Sequence, residues 1–160
     1  MKIIVFSDSH GRTSLMADII ATESPDGVIF LGDYLRDCIK LQKSFSHLPF
    51  YAVPGNNDYG SGYDEEGVLE LDGVKIFLTH GHYYFDHSAE STYANIAAAA
   101  KNAGADAAFF GHSHLPLNEI KNGITLLNPG SITEPRGNSE KSYAIINILN
   151  GKFTAKIIEI

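Results

Sequence analysis

The N-terminal stretch KIIVFSDSH, Lys2–His10, joins an apolar run directly to a polar cluster. The run Lys2–Phe6 is rich in β-branched and aromatic residues, which predicts a buried strand. Beyond it the chain alternates between helical and extended patterns: a helix at Thr13–Glu23, an apolar run at Gly27–Leu31, a helix at Leu35–Phe45 and a strand at Phe50–Val53. This βαβαβ order favours a parallel sheet with helices packed on it.

The second half of the chain is dominated by hairpin signals. Asp72-Gly73 and Asn150-Gly151 each separate two apolar runs, and such dipeptides favour tight two-residue turns. The runs are Val68–Leu71 with Val74–Leu78 and Tyr143–Leu149 with Phe153–Ile158; a helix at Ala89–Ala103 and strands near Ala107–Phe110 and Ile124–Leu127 lie between them. We therefore predict an α/β fold, a layered α/β/β/α sandwich with two mixed sheets packed face to face and helices outside.

Composition limits the classes of function. The 160 residues are 44% hydrophobic and suit a single domain over residues 1–160. The net charge of −7 and the absence of a Lys/Arg cluster argue against stable nucleic-acid binding. Cys38 is the one cysteine and is interpreted as a small buried residue. The N-terminal run is too short for a signal peptide or a membrane span, so we expect a cytoplasmic protein with no membrane association.

Polar clusters follow five of the predicted strands, at the position where open α/β sheets bind their ligands. They contain five of the seven histidines of the chain. The clusters are Asp8 with His10, Asp33 with Asp37, Asn56 with Asn57 and Asp58, His80 with His82, and His112 with His114. Carboxylate, amide and imidazole groups in this mixture suit two divalent ions roughly 3.5–4 Å apart.

The order D-x-H, G-D-x-x-x-D, G-N-x-D, H-G-H and G-H-x-H resembles the calcineurin-like metallophosphoesterase superfamily. It is most similar to the small single-domain prokaryotic phosphodiesterases of that superfamily. The resemblance extends from Lys2 to Arg136 and includes the segment NPGSITEPR, Asn128–Arg136. Two other classes of two-metal enzyme fit less well. Metallo-β-lactamase-like enzymes require an H-x-H-x-D-H motif, which is absent, and amidohydrolases require a barrel of about 250 residues, for which 160 residues are too few.

The resemblance implies a dinuclear site in which Asp33 bridges the two ions. One ion would be held by Asp8, His10, Asp33 and His114, and the other by Asp33, Asn56, His80 and His112. It further implies hydrolysis of small phosphodiesters by attack of a metal-bridging hydroxide. Mn²⁺ is the favoured metal, with Ni²⁺, Mg²⁺, Zn²⁺ and Fe²⁺ as alternatives.

One position departs from the family pattern. In the phosphatase branches a histidine that protonates the leaving group follows the motif asparagine, whereas this chain has Asn57 there. Asparagine has no proton to give at neutral pH, so His82 is the candidate general acid, the alternative being a histidine at the rim of the site. Asn56 could also donate to a phosphoryl oxygen, and Asp58 is expected to orient a neighbour by hydrogen bonding.

The roles of other polar and aromatic residues near the motifs can each be interpreted in two ways. Asp37 is assigned a supporting or capping role, the alternative being direct ligation of a metal. Arg12 and Arg136 could contact a phosphate or a carboxylate, or could be solvated surface residues. The tyrosines of the two loops that follow metal motifs either stack on an aromatic part of the substrate or pack on the protein; these are Tyr63, Tyr83 and Tyr84.

Two alternative functions remain open at this stage. The same metal site could act on phosphomonoesters, although Asn57 argues mildly against this. The chain could instead be a non-catalytic binding scaffold, because the retromer complex contains a scaffold protein of this fold with a degraded metal site. The intact ligand set of this chain favours an enzyme. The sequence leaves open whether the protein is a homo-oligomer.

Overall fold

The computed structural model describes residues 1–160 and contains two five-stranded sheets, three α-helices and a short 3-10 helix. The strands are β1 Lys2–Phe6, β2 Gly27–Phe30, β3 Phe50–Ala52, β4 Glu66–Leu71, β5 Val74–Thr79, β6 Ala107–Phe109, β7 Pro116–Lys121, β8 Ile124–Pro129, β9 Ser142–Leu149 and β10 Lys152–Glu159. The helices are α1 Thr13–Glu23, α2 Leu35–Ser44 and α3 Ala89–Asn102, and the 3-10 helix is His82–Tyr84. The mixed α/β architecture predicted from the sequence is confirmed.

The strand order explains why both sheets are mixed. The first sheet has the order β10-β9-β1-β2-β3, in which β1, β2 and β3 are parallel and β9 runs antiparallel to β1. The second sheet has the order β4-β5-β6-β8-β7, in which β5, β6 and β8 are parallel. Antiparallel hairpins therefore form both edges of the second sheet and one edge of the first, whose other edge is the parallel strand β3.

Three tight turns join the hairpins. Asp72-Gly73 and Asn150-Gly151 have positive φ at both residues, as a two-residue turn of this kind requires. A third turn, Asn122-Gly123, has the same conformation and joins β7 to β8. The sequence prediction did not include β7. It begins with Pro116 and three of its six residues are polar, which gives a weak strand pattern that an edge strand tolerates.

The core has three parts that define the layers. The largest lies between the two sheets and contains side chains from both, including Val5, Ile29, Ile76 and Phe109. A second packs α1 and α2 on the outer face of the first sheet, and a third packs α3 on the outer face of the second sheet. The predicted order of helices, two facing sheets and helices is therefore confirmed.

Cys38 lies in the core part under α2 and is 4% exposed, so the interpretation of a buried cysteine is confirmed. Burial, with a smaller contribution from the charge of Asp37, raises the pKa of its thiol to about 12. The thiol is therefore protonated at neutral pH and is a poor nucleophile. No helix of the structure has the length and apolar character needed to cross a membrane.

The ion pair between Lys2 and Glu23 leads to a prediction for stability in acid. Hydrogen bonding from Lys2, partly opposed by burial, lowers the pKa of Glu23 below 4.5. The ionised carboxylate therefore stabilises the fold above about pH 4.5, and this contribution is lost as pH falls through the lowered folded-state pKa. Glu23→Gln should cost no more than about 1 kcal/mol at pH 7, and the cost should shrink as the pH falls through the lowered pKa of Glu23.

Denaturant unfolding of the wild type and of Glu23→Gln at several pH values between 7 and 3 would measure this difference. A difference in the free energy of unfolding that stays constant over that range would contradict the prediction. It would then reflect the hydrogen bond that Glu23 accepts from Tyr143, and not the charge on the carboxylate.

Candidate metal centre

The polar clusters meet at one end of the sandwich because the parallel strands of both sheets end there. Asp8 follows β1 and donates its backbone N–H to the Gly32 carbonyl after β2. Gly111, after β6, donates its N–H to the carbonyl of His80 after β5. These backbone bonds hold neighbouring loops side by side, and in the structure side chains from both sheets converge between them.

One group of predicted ligands is tightly clustered. One ligand atom from each of Asp8, His10, Asp33 and His114 lies within 4.8 Å of all the others. Asp8 Oδ1 is 3.1 Å from His114 Nε2, and the Nε2 atoms of His10 and His114 are 3.5 Å apart. Two imidazole nitrogens and two carboxylates therefore point at a common volume, as the ligands of a divalent cation do.

A second group consists of the other three histidines of the motifs, His80, His82 and His112. The rings of His80 and His112 are 5.2 Å apart, and the His82 ring lies 5.5 Å from His80 and 6.1 Å from His112. His80 Nε2 connects this group to the first one, since it lies 3.5 Å from Asp33 Oδ1 and 4.0 Å from Asp8 Oδ1. Asp33 thus lies between the two groups, where a bridging ligand would have to be.

Backbone carbonyls orient two of the imidazoles. His80 Nδ1 lies 2.6 Å from the Leu31 carbonyl oxygen, and His114 Nδ1 lies 2.6 Å from the Glu134 carbonyl oxygen. A carbonyl oxygen only accepts, so each Nδ1 carries the proton and donates it. The Nε2 atom of each ring then faces the centre, which is how metal-binding histidines are usually held.

The electrostatics of the centre favour the ionised form of Asp8. Burial acts to raise the pKa of Asp8, but the adjacent His114 and the charge of His80 outweigh it and the pKa is lowered. Burial acts to lower the pKa of His114, but its contact with Asp8 outweighs this and the pKa is raised. For His112, burial and the neighbouring His80 lower the pKa to about 4, so its imidazole is neutral at pH 7.

Several buried polar atoms at the centre have no hydrogen-bond partner. They include both carboxylate oxygens of Asp8 and Nε2 of His80, in side chains with no solvent exposure. Buried polar atoms are normally satisfied, because leaving one unpaired costs about 1–3 kcal/mol. Divalent cations would satisfy these atoms, and the mixed oxygen and nitrogen donor set suits first-row metals such as Mn²⁺, Fe²⁺ and Zn²⁺. The residues present therefore fit the metals that the motifs imply.

Five of the predicted ligands adopt left-handed backbone conformations that non-glycine residues seldom use. They are Asp8, His10, Asp33, His112 and His114, with φ between 44° and 63°. Such conformations cost of order 1–3 kcal/mol each and tend to cluster at functional sites. Here they turn each side chain off the end of its strand and into the common volume.

The loop after β3 brings Asn57, and not Asn56, against the other residues. Asn57 donates from Nδ2 to Asp33 Oδ2 (2.7 Å) and from its backbone N–H to Asp33 Oδ1 (3.1 Å). Asn56 is exposed and makes no side-chain hydrogen bond. Asp58 accepts from the N–H groups of Leu35 and Gly55, and its expected role of orienting a neighbour stays a prediction.

One segment outside the motifs, at the end of β8 and just after it, holds the loops that carry the ligands. Ser131 donates from Oγ to the Asp8 carbonyl, and Thr133 donates from Oγ1 to the same oxygen. Asn128 donates from Nδ2 to the Gly111 carbonyl, beside His112. This NPGSITEPR segment was noted in the sequence, but no role was assigned to Asn128, Ser131 or Thr133. The feature of the sequence that could have indicated this role is the presence of small hydroxyl and amide side chains, which can donate hydrogen bonds to the carbonyls of nearby loops.

Asp37 and the two arginines are placed as follows. Asp37 is buried and accepts from Ser9 Oγ (2.7 Å) and Gly11 N–H (2.8 Å), which fits the supporting role that the sequence predicts. Arg12 and Arg136 are exposed and form no ion pair. Their predicted contact with a phosphate or carboxylate stays a prediction.

Aromatic side chains form part of the rim of the centre. The exposed Tyr83 ring lies 3.9 Å from the His82 ring, and Phe85 packs edge-on against His112 at 4.6 Å. Tyr84 instead donates its hydroxyl to Glu66, and Tyr63 lines a separate cavity between the β3 and β4 edges. Of the three tyrosines considered in the sequence, Tyr83 is therefore the one in contact with a histidine of the centre.

The fold and its Asp/His cluster together define a metallophosphoesterase-type domain. Residues 1–151 match the model of the calcineurin-like phosphoesterase superfamily domain, and the chain belongs to that superfamily. The family predicted from the order of the motifs is thus confirmed.

Relatives of known name place the chain among small prokaryotic members of the family. It is 33% identical over 162 residues to the protein named probable metallophosphoesterase YsnB of Bacillus subtilis, covering 99% of this chain and 91% of that one. It is 28% identical over 174 residues to the phosphodiesterase YfcE of Escherichia coli, covering 92% and 88%. A crystal structure from Streptococcus pneumoniae, described as a predicted phosphoesterase, matches with a TM-score of 0.81 and 32% identity, covering 99% and 88%.

Proposed function

We propose that this protein is a hydrolase that cleaves small phosphodiesters with two divalent ions bound at the candidate metal centre. The observation that carries the proposal is the convergence of Asp8, His10, Asp33 and His114 beside His80, whose buried Nε2 atom lacks a partner. The similarity to a phosphodiesterase of E. coli supports the substrate class. In this proposal residues 1–160 form a single domain.

The proposed ligand sets keep the assignment that the motifs imply. Asp8, His10, Asp33 and His114 would hold one ion; Asp33, Asn56, His80 and His112 would hold the other. The close contacts among these residues support every member except Asn56, which is exposed and has no hydrogen bond to the others. Mn²⁺ is the proposed metal on the mixed oxygen and nitrogen donors.

The metals would supply a nucleophile at neutral pH, by lowering the pKa of bound water, and would polarise the phosphoryl oxygens. The residues of the chain have the task of holding ligands and placing protons. His80 and His114 keep their Nδ1 protons on backbone carbonyls, which commits both Nε2 atoms to the centre. His82 is the imidazole of the centre that the ligand sets do not use, and it remains the proposed donor of a proton to the leaving group.

Two features favour diesters over monoesters. Asn57 takes the position of the family histidine and bonds to Asp33, so that position supplies no proton for a poor leaving group. The protein carries a net charge of −7, and a diester brings one negative charge where a monoester brings up to two. Diesters with good leaving groups are therefore the proposed substrates, and phosphomonoester hydrolysis is the second candidate.

The test compares a bis-aryl phosphodiester with its aryl phosphomonoester, using metal-stripped protein before and after addition of Mn²⁺. We expect diester hydrolysis only with metal, and a loss of about 100-fold or more in His112→Ala. His47→Ala is the matched control, because His47 is exposed and lies outside the centre. Metal binding without cleavage of either ester would overturn the enzyme and favour the non-catalytic binding scaffold.

A further inference from the structure

A polar cavity of about 280 Å³ lies beside the candidate metal centre and has no role in the proposed function so far. Its lining residues are Tyr34, Arg36, Asn57 and Asp58. We name it the Arg36 pocket, after the one cationic side chain in it. It lies between the N-terminal end of α2 and the loop that follows β3.

Aromatic stacking holds Arg36 near the centre. Its guanidinium carbon lies 4.6 Å from the centre of the Tyr34 ring, in a cation–π contact. The same Tyr34 ring packs at 5.1 Å from the ring of His10, which belongs to the Asp/His cluster. A guanidinium group is thus connected to a proposed metal ligand through a single intervening ring.

The backbone of Tyr34 adopts a conformation that bulky residues rarely use. Tyr34 has φ 75°, and a left-handed conformation is a clear outlier for a bulky side chain. It directly follows Asp33, which is also left-handed at φ 59°. This double turn places the tyrosine ring between His10 and Arg36.

The charge of Arg36 is free for a ligand. The Arg36 side chain is exposed and forms no ion pair or hydrogen bond within the protein. Asp58 is the one acidic residue of the pocket, and both of its oxygens already accept backbone N–H groups, at 2.7 Å from Leu35 and 2.9 Å from Gly55. The guanidinium therefore keeps its donors available on an otherwise acidic protein.

Asn57 joins the pocket to the centre. It lines the pocket and donates from Nδ2 to Asp33 Oδ2, the proposed bridging ligand. A substrate whose scissile phosphate lies at the metals can therefore reach the pocket with a neighbouring group on a short linker.

We propose that the Arg36 pocket binds a second phosphate group of the substrate, separate from the phosphate that is cleaved. The inference rests on the proposed function and narrows it to diesters that carry such a second phosphate nearby. The planar guanidinium presents paired N–H donors that match phosphate oxygens, and stacking on Tyr34 limits the entropy lost when it binds. Arg36 is then a specificity residue and not a catalytic one.

The test uses two chromogenic diesters that differ only in the second phosphate. They are the p-nitrophenyl ester of thymidine 5′-phosphate and the same ester with an added 3′-phosphate. With Mn²⁺-loaded protein, we expect kcat/KM to be about tenfold higher for the ester with the 3′-phosphate. Arg36→Ala should remove this preference and leave the hydrolysis of the simpler ester nearly unchanged.

Two further variants separate position from charge. Lys43→Ala removes one exposed positive charge from the last turn of α2 and should keep the preference. Arg36→Lys keeps the charge but loses the planar stack, and should retain only part of the preference. A loss in Arg36→Ala that is equal for both esters would overturn the inference, since it would indicate a general effect on the centre.

A binding measurement keeps the inference testable if neither ester is cleaved. Calorimetric titration of the Mn²⁺-loaded protein would compare thymidine 3′,5′-bisphosphate with thymidine 5′-monophosphate. We expect the bisphosphate to bind about tenfold more tightly, and Arg36→Ala to equalise the two affinities. Equal affinities in the wild type, or no binding of either, would overturn the pocket. Preferential binding without cleavage would uphold the pocket and reject only the proposed hydrolysis.

Discussion

Asp33→Asn should reduce Mn²⁺-dependent diester hydrolysis by at least about 10³-fold, even at saturating metal. Asp33 lies between the two histidine groups, with Oδ1 at 3.5 Å from His80 Nε2. A bridging carboxylate brings one negative charge to both ions, and an amide of the same shape brings none. Without that charge, less of the repulsion between the two ions is offset, and the second ion is expected to bind weakly.

Metal-induced thermal stabilisation gives a readout that does not depend on activity. Mn²⁺ should raise the Tm of the wild type, because a ligand that binds only the folded state stabilises it. The rise should be much smaller in Asp33→Asn. His87→Ala, which changes a fully exposed histidine, should behave as the wild type does. Full activity together with a normal metal-induced shift in Asp33→Asn would refute the bridging assignment.

Gly55→Ala should damage both the fold and the centre. A Cβ atom at Gly55 would lie 2.2 Å from Asp33 Oδ1 and 2.3 Å from the Asp33 backbone nitrogen. Since the backbone of two neighbouring loops would have to move apart, we expect the free energy of unfolding to fall by about 3 kcal/mol. The Asp33 carboxylate would be displaced as well, so diester hydrolysis should fall by at least about 100-fold in the fraction that remains folded.

Gly67→Ala is the matched control for this substitution. A Cβ atom at Gly67 meets no heavy atom within 4 Å, and its φ lies outside the left-handed region. It should change stability by less than about 0.5 kcal/mol and leave hydrolysis intact. Denaturant unfolding and steady-state assays on both variants would measure these effects. Wild-type stability in Gly55→Ala would show that the two loops are more compliant than their packing indicates.

Local patterns in the sequence were sufficient for most of the fold. Two D-G and N-G turns marked hairpins, and both hairpins are present. The alternation of apolar runs with helical patterns predicted the parallel strands of the first sheet. Edge strand β7 was missed because it starts with a proline and three of its six residues are polar, although Asn122-Gly123 carried the same turn signal as the other two hairpins.

The candidate centre was predictable in outline and not in its side-chain contacts. Motif spacing placed the clusters at strand ends, which parallel pairing then brings together. Which of two adjacent asparagines contacts Asp33 depends on the path of one loop, and the structure favours Asn57 for that contact. The positions of Tyr34 and Phe85 against His10 and His112 also depend on loop conformation, which no periodic pattern encodes.

The position of β1 has a consequence for how the protein forms during synthesis. β1 precedes the other four strands of its sheet in the chain, yet it lies in the middle of that sheet, with Lys2 paired to Asn147 of β9. While the nascent chain is on the ribosome, β1 can pair with β2 but keeps an open hydrogen-bonding edge until β9 emerges. Asp8 directly follows this strand, so we expect the centre to reach its final form only after β9 has paired with β1. Chaperones that shield exposed strand edges would therefore protect this chain from aggregation most before residues 142–149 leave the exit tunnel.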